Sequence, residues 1–171
     1  MSAAATGRLV RRDDQDVVVL ERTFAAPVAD VWAAVTEPER LARWIGTWRG
    51  DPTSGAVRFR MTAEGEDVPE ETYEIRACEP PHRLELHAAN DYGVWDLRLE
   101  LTEADGATTL AFGQVVHDRA AFESIGPGWD YYLDRLVAAE TGADVAAMDF
   151  AADYFPALQG HYAALLAGPA D

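Results

Sequence analysis

The sequence is poor in several things, and each shortage removes a class of function. It has one cysteine, Cys78, so no disulfide can close within the chain and nothing points to an oxidising compartment; the cytoplasm is the expected location. It has no lysine: all 14 basic residues are arginine, a compositional habit that names no function. Against them stand 30 acidic residues, for a formal charge of -16. So negative a surface repels phosphate backbones and anionic headgroups, which argues against nucleic acid and against membrane insertion. Met1 to Arg12 lacks the apolar centre of a secretion signal, and no later stretch approaches the roughly 18 apolar residues of a membrane helix.

Groups suited to metal or covalent chemistry are equally scarce. His82 and His87 fall on opposite faces of an expected strand, and with Cys78 they complete no four-ligand set, so neither a metal nor a cofactor is expected. Ser54 lies in a turn, Ser124 lacks a nucleophile-elbow context, and Cys78 sits beside Glu79, where a thiolate is disfavoured. Gly126-Pro127-Gly128 reads as a tight turn opening a helix, not a phosphate cradle. The acidic group Glu64, Glu66, Asp67, Glu70 and Glu71 could bind a cation weakly, but a solvated loop is the preferred reading. No catalytic residue is assigned, and the sequence leans away from an enzyme.

What the chain does have is periodicity. After a polar arm, Val17 to Phe24 reads as a strand. Pro27 then opens a helix with Val28, Val31, Trp32 and Val35 at helical spacing. Thr36-Glu37-Pro38-Glu39 matches a capping box, with Thr36 as the cap of a second short helix carrying Leu41, Trp44 and Ile45. From Thr47 to His117 the period is two: Val57, Phe59 and Met61; Tyr73, Ile75 and Ala77; Leu84 and Leu86; Trp95, Leu97, Leu99 and Leu101; Leu110 and Phe112. Turn chemistry separates these runs, Asp105-Gly106 most clearly, so the strands form an antiparallel meander. Past Gly126-Pro127-Gly128 the period is helical again, with Trp129, Tyr132, Leu133, Leu136 and Val137 on one face and Gly142 as the stop. Pro156 splits the remaining segment into two short helical pieces.

That order resolves as one α+β domain, residues 1–171, in which a curved antiparallel sheet wraps the long C-terminal helix; the core spans about 17–142, and 143–171 is a helical extension. The run from Ala26 to Trp44 resembles the N-terminal signature of START-like (SRPBCC) helix-grip proteins, in the branch named for homology to the activator of the heat-shock ATPase (AHSA-like). Gly126 to Leu136 resembles the opening of that branch's last helix. The resemblance implies the helix-grip fold; the superfamily includes lipid carriers, hormone receptors, polyketide cyclases and chaperone cofactors, so it does not choose among functions.

A sheet gripping a helix is expected to leave a pocket between them. Its expected ligand-binding walls are Trp44, Tyr73, Trp95, Phe112, Gln114, Trp129 and Tyr132, aromatic rings on apolar faces with one inward amide that needs a partner: Tyr132, a buried water or a ligand. His117, on the opposite parity, is expected at the rim. The leading expectation is non-catalytic binding of a small hydrophobic or aromatic molecule. A cyclase- or hydratase-type enzyme using the same pocket is one alternative, favoured if His117 or His87 points inward beside a carboxylate. A protein-interaction module or chaperone ATPase cofactor is another. Whether the C-terminal helices cover the pocket, pack outside it or build a homodimer stays open.

Overall fold

A computed structural model describes residues 3–167. The elements are β1 (Arg8–Arg12), β2 (Gln15–Phe24), α1 (Val28–Thr36), α2 (Pro38–Leu41), β3 (Thr47–Arg49), β4 (Ala56–Arg60), β5 (Glu71–Glu79), β6 (Arg83–Asn90), β7 (Gly93–Ala104), β8 (Ala107–Val115), α3 (Phe122–Thr141), α4 (Phe150–Asp153) and α5 (Gln159–Leu166). The eight strands form one curved antiparallel sheet in the order β1-β2-β8-β7-β6-β5-β4-β3, with α3 as its long helix.

Turn chemistry sets the register. Two-residue turns with positive φ at both central positions, Asp13-Asp14 and Asp105-Gly106, join β1 to β2 and β7 to β8. Such turns twist with the strands they connect, and aspartate and glycine tolerate the left-handed region. The resulting pairing lays inward residues in rows across the sheet. One row runs Val18, Gln114, Leu97, Leu86, Ile75; a second runs Leu20, Phe112, Leu99, Leu84.

The structure departs from the sequence reading at four places. The N-terminal arm is not merely polar: its residues 8–12 add an edge strand beside β2. The register shifts between Ile75 and Ala77, so Ala77 lies opposite Glu85 and leaves the inward series that Tyr73 and Ile75 follow; the extra residue of a bulge flips parity. Thr36 does not cap α2. Its Oγ1 donates to the Trp32 carbonyl at 2.7 Å, finishing α1, while Glu37 stands at the cap and Pro38 takes the first helical position, where a missing N–H costs nothing. Finally, α3 does not start after Gly128 but runs unbroken from Phe122 through Pro127. The lost backbone bond at Pro127 is offset by burial, since Pro127 and Phe122 are both under 2 % exposed and Gly126 lies against the Tyr162 ring.

The C-terminal extension packs outside the grip. Here α5 lies against α3 and β1, and a charged network fixes it there. Asp130 of α3 is 0 % exposed; its carboxylate accepts from Tyr162 Oη, from Thr6 Oγ1 and from Arg22. Arg22 also donates to Asp134 at 3.0 Å, which accepts from Tyr154 Oη at 2.8 Å. A buried carboxylate persists only when paired and hydrogen-bonded in this way. The network ties β2, α3, α5 and the N-terminal arm together.

Candidate functional site

On the side of β2, β8 and β7, the space under α3 is filled. Leu20, Leu110, Leu133 and Leu136 are each at most 1 % exposed. Gln114, inward by parity, has its partner within the protein: Trp129 Nε1–H donates to Gln114 Oε1 at 2.6 Å. Phe112 packs on Trp129 at 4.3 Å between ring centres. Among the expected partners of the amide, then, neither Tyr132 nor water is needed, because the indole of the neighbouring helical turn supplies the donor.

The inward face of β4, β5 and β6 is different. Val57, Phe59, Met61, Tyr73, Ile75 and Leu86 project toward the interior yet stay only half-buried. Tyr73 meets Phe59 edge-on at 5.5 Å, and from α3 Trp129 meets Tyr132 at 6.3 Å. Trp95, directly across from Ala88 on β6, closes one end and stands outside the main core cluster. These groups form a half-covered strip of the concave face, mostly packed against the core beside α3, where the cleft is expected.

A loop borders this strip. Residues 61–70 join β4 to β5, and the Ala63 N–H donates to the Ile45 carbonyl. Tyr132 Oη donates to Glu64 Oε1 at 2.9 Å, linking this loop to α3. At the far end of the loop Glu70 sits among Arg49, Arg60 and Arg58, and the hydrogen bond from Arg49, first among these influences, holds its carboxyl below the usual range. Deeper along β5, Glu71 shares the inward face with Phe59 opposite it. It accepts from Asn90 Nδ2 at 2.8 Å, and Asn90 Oδ1 in turn accepts from Trp95 Nε1 at 3.3 Å. Burial, followed by the nearby carboxylates Glu71 and Glu64, pushes the Tyr73 phenol well up; burial and Glu64 do the same for Tyr132. Both phenols are therefore neutral donors over any ordinary pH and do not act as phenolate bases.

Of the expected wall residues, Tyr73, Trp129 and Tyr132 border this cleft and Trp95 closes its end, while Phe112 and Gln114 support Trp129 from beneath. Trp44 is not with them. Its Nε1 donates to the Ala34 carbonyl and its ring is 5 % exposed, packed where α1 meets the turn after α2. The sequence places Phe59 on an inward face and Glu64 and Glu71 in a solvated loop, and names none of them, nor Asn90, as a wall of the pocket. Parity could have found Phe59, but the placement of Glu64 depends on how a loop folds back.

Two histidines do stand beside a carboxylate, on the wrong face for the cleft. Asp96 bridges His87 Nδ1 and His117 Nε2, each at 2.6 Å. His87 and Asp96 are cross-strand partners one position out of phase with the inward Leu86 and Leu97, so the cluster lies on the outer surface. Desolvation works to raise the Asp96 pKa, but hydrogen bonds from His87 and His117 outweigh it and the carboxyl is lowered overall. The surface has a depression of about 490 Å³ on the outer face of β1, β2, β8 and β7, and a more open one of about 710 Å³ near His82 and Glu103. Neither lies between sheet and α3, where the pocket was expected. Among the described residues no cluster of metal-ligating groups is present, and no helix is long and apolar enough to cross a membrane.

Sheet, long helix and half-covered concave face together define a helix-grip domain of the SRPBCC/START-like superfamily. Within it, the chain belongs to the family of Activator of Hsp90 ATPase homolog 1-like proteins, whose model matches residues 25–140. CalU16 from Micromonospora echinospora is similar over nearly the whole length. Its crystal structure is 22% identical with a TM-score of 0.72, covering 98% of this chain and 100% of that one. Its solution structure gives 24% and 0.75, covering 98% and 97%. DynU16, a putative protein in the dynemicin biosynthetic locus, is 27% identical with a TM-score of 0.60 over 74% of this chain and 48% of its own. No curated protein matches the chain.

Proposed function

We propose that this protein binds, without chemical conversion, one small hydrophobic or aromatic molecule in the cleft between β4–β7 and α3. The observation that carries this reading is the half-burial of Phe59, Tyr73, Ile75 and Leu86 on the inward face, while equivalent positions on β2 and β8 are sealed. Apolar rings left half-wet beside two neutral phenol donors suit a flat ligand with a few polar groups. Entry requires the 61–70 loop to lift, which breaks one hydrogen bond to Tyr132 and one to Ile45. That a similar protein, DynU16, is a putative protein in the dynemicin biosynthetic locus is compatible with ligand binding.

An enzyme of cyclase or hydratase type would need a titrating pair facing the ligand, and the histidine–carboxylate cluster is turned away. The ATPase-cofactor reading has the family's name and an acidic surface behind it, with no binding surface to match. We propose in addition that the protein resides in the cytoplasm and pairs as a homodimer.

Native mass spectrometry and thermal shift against a panel of neutral polycyclic aromatics should give one-to-one complexes. Substituting Tyr73→Ala should weaken the tightest of them about tenfold, the worth of one aromatic contact with its buried area. Indifference to the whole panel by a folded protein would end the proposal.

A further inference from the structure

The outer face of the sheet carries an order that neither the core nor the half-covered strip uses. Positions one step out of phase with the inward Leu20, Phe112 and Leu99 point away from α3, and the register sets them in rows. One row runs Arg8, Val19, Gly113, Arg98, Glu85; the next runs Glu21, Ala111, Glu100, Arg83. Strand by strand the two rows are opposite in sign: Arg98 beside Glu100 on β7, Glu85 beside Arg83 on β6, and Arg8 of β1 near Glu21 of β2. The two ends of the face differ in bulk. Beyond the first row stand Val10, Val17 and Val115, part of a small apolar cluster apart from the main core, and the side chains of Arg12 and Arg98 cross the sheet to Glu100 and Gln15. Beyond the second row Thr23, Thr109, Thr102 and Ala107 help line the depression of about 490 Å³.

We propose that this face pairs with the same face of a second copy, about a two-fold axis that runs across the strands between the two rows. The pairing rests on the homodimer proposed above and supplies its surface; the aromatic strip takes no part. Such an axis lays each row on the other row of the partner. Arg98 then faces the partner's Glu100, Arg83 the partner's Glu85, and Arg8 comes near the partner's Glu21, each contact made twice, as an isologous interface requires. The bulky end of each copy enters the depression of the other. The strands of the two copies run nearly antiparallel, within the small angle at which twisted sheets stack face to face. Charge selects this face over others. Two copies at -16 repel, so they meet where local charge cancels, and here Arg8, Arg12, Arg83 and Arg98 balance Glu21, Glu85, Asp96 and Glu100. The ion pairs Arg8–Glu21 and Arg12–Glu100 within one copy are about half exposed. Exposed pairs contribute little by themselves, so exchanging them across an interface costs little. Five strands about 4.8 Å apart and eight residues at about 3.3 Å each give a face of roughly 600 Å² per copy, just over the ~1,000 Å² total of a specific interface. The affinity expected is micromolar.

Sedimentation velocity of the full chain from about 1 to 100 μM, bracketing a micromolar constant, should show monomer passing to dimer. Arg98→Glu places two carboxylates together at each of the two central contacts, and Glu100→Arg two guanidinium groups. Each variant, shown to be folded by circular dichroism and thermal melting, should dimerise about a hundredfold more weakly. Mixed one to one, the two variants restore opposite charges at both contacts, and the mixture should dimerise like the parent. A fold damaged by either substitution would not recover on mixing. Arg49→Glu, the same reversal at the far edge of the sheet on β3, should leave the dimer unchanged. A chain that stays monomeric throughout removes both the homodimer and its surface. A dimer that survives both reversals, or a mixture that stays monomeric, removes this surface alone. None of these outcomes bears on binding at the aromatic strip.

Discussion

The two halves of the concave face are built from one alphabet and end in different states. On β2 and β8, Val18, Leu20, Leu110 and Phe112 alternate inward and are at most 4 % exposed. On β4, β5 and β6, Val57, Phe59, Tyr73, Ile75 and Leu86 alternate just as strictly and are half-wet. The difference lies in what stands opposite. The closed half has α3 laid across it and held by Asp130, Arg22 and Tyr162; the open half has a ten-residue loop held by bonds from Tyr132 to Glu64 and from Ala63 to Ile45. A polar network thus fastens the helix to one side, while the other is covered by a loop with few bonds.

The largest expected effect comes from breaking the closed half. Substituting Asp130→Ala removes the shared buried acceptor of Arg22, Thr6 and Tyr162, leaving the Tyr162 O–H without its acceptor, and should cost about 3–5 kcal/mol in denaturant titration. If the halves are independent, whatever fraction remains folded at low temperature keeps any affinity the parent shows for the proposed aromatic ligands. A smaller loss should follow Gly126→Ala. The added methyl group would run into the Tyr162 ring, itself fixed by bonds to Asp130 and to the Gly7 N–H. Overpacking outweighs the gain in helix propensity, and about 2 kcal/mol is expected, with faster proteolysis within residues 143–167.

The smallest effect is on the outer surface of the open half. The Asp96 carboxyl is depressed below its ordinary value of 3.8 by its two imidazoles. A group depressed in the folded state contributes fully above its unfolded pKa and loses that contribution as pH falls through its folded pKa. Asp96→Asn should therefore cost about 1 kcal/mol at pH 6, and the gap to the parent should close as the pH is taken down from about 4. A gap that stayed constant with pH would show that the imidazoles give the charge no advantage.

Much of the fold could be read from short-range pattern. Alternation located the meander, the stripe from Trp129 to Val137 located the long helix, and Gly142 ended it, at φ 79. The Asp105-Gly106 turn placed β7 against β8. Harder to see were features that depend on partners far away in sequence. Nothing local tells a polar arm to become β1, since its strand character comes from the edge of β2 that it covers. Pro127 is a helix breaker by propensity and stays inside α3 because Tyr162 and its surroundings bury that turn. The His87–Asp96 contact was countable in principle: fixing the β6–β7 hairpin at Asn90 and Gly93 puts the two opposite each other.

By itself the sequence determined the kinds of element, their order, and which face of each is apolar, because periodicity of two or 3.6 is a property of the backbone and needs no tertiary contact. It also set the excess of negative charge. Only the tertiary structure decided which apolar faces are covered, that Gln114 is answered by Trp129, that the tail packs outside, and that Tyr132 reaches Glu64. Those outcomes depend on where one helix lies across a curved sheet, a balance of many distant contacts that no window of neighbouring residues contains.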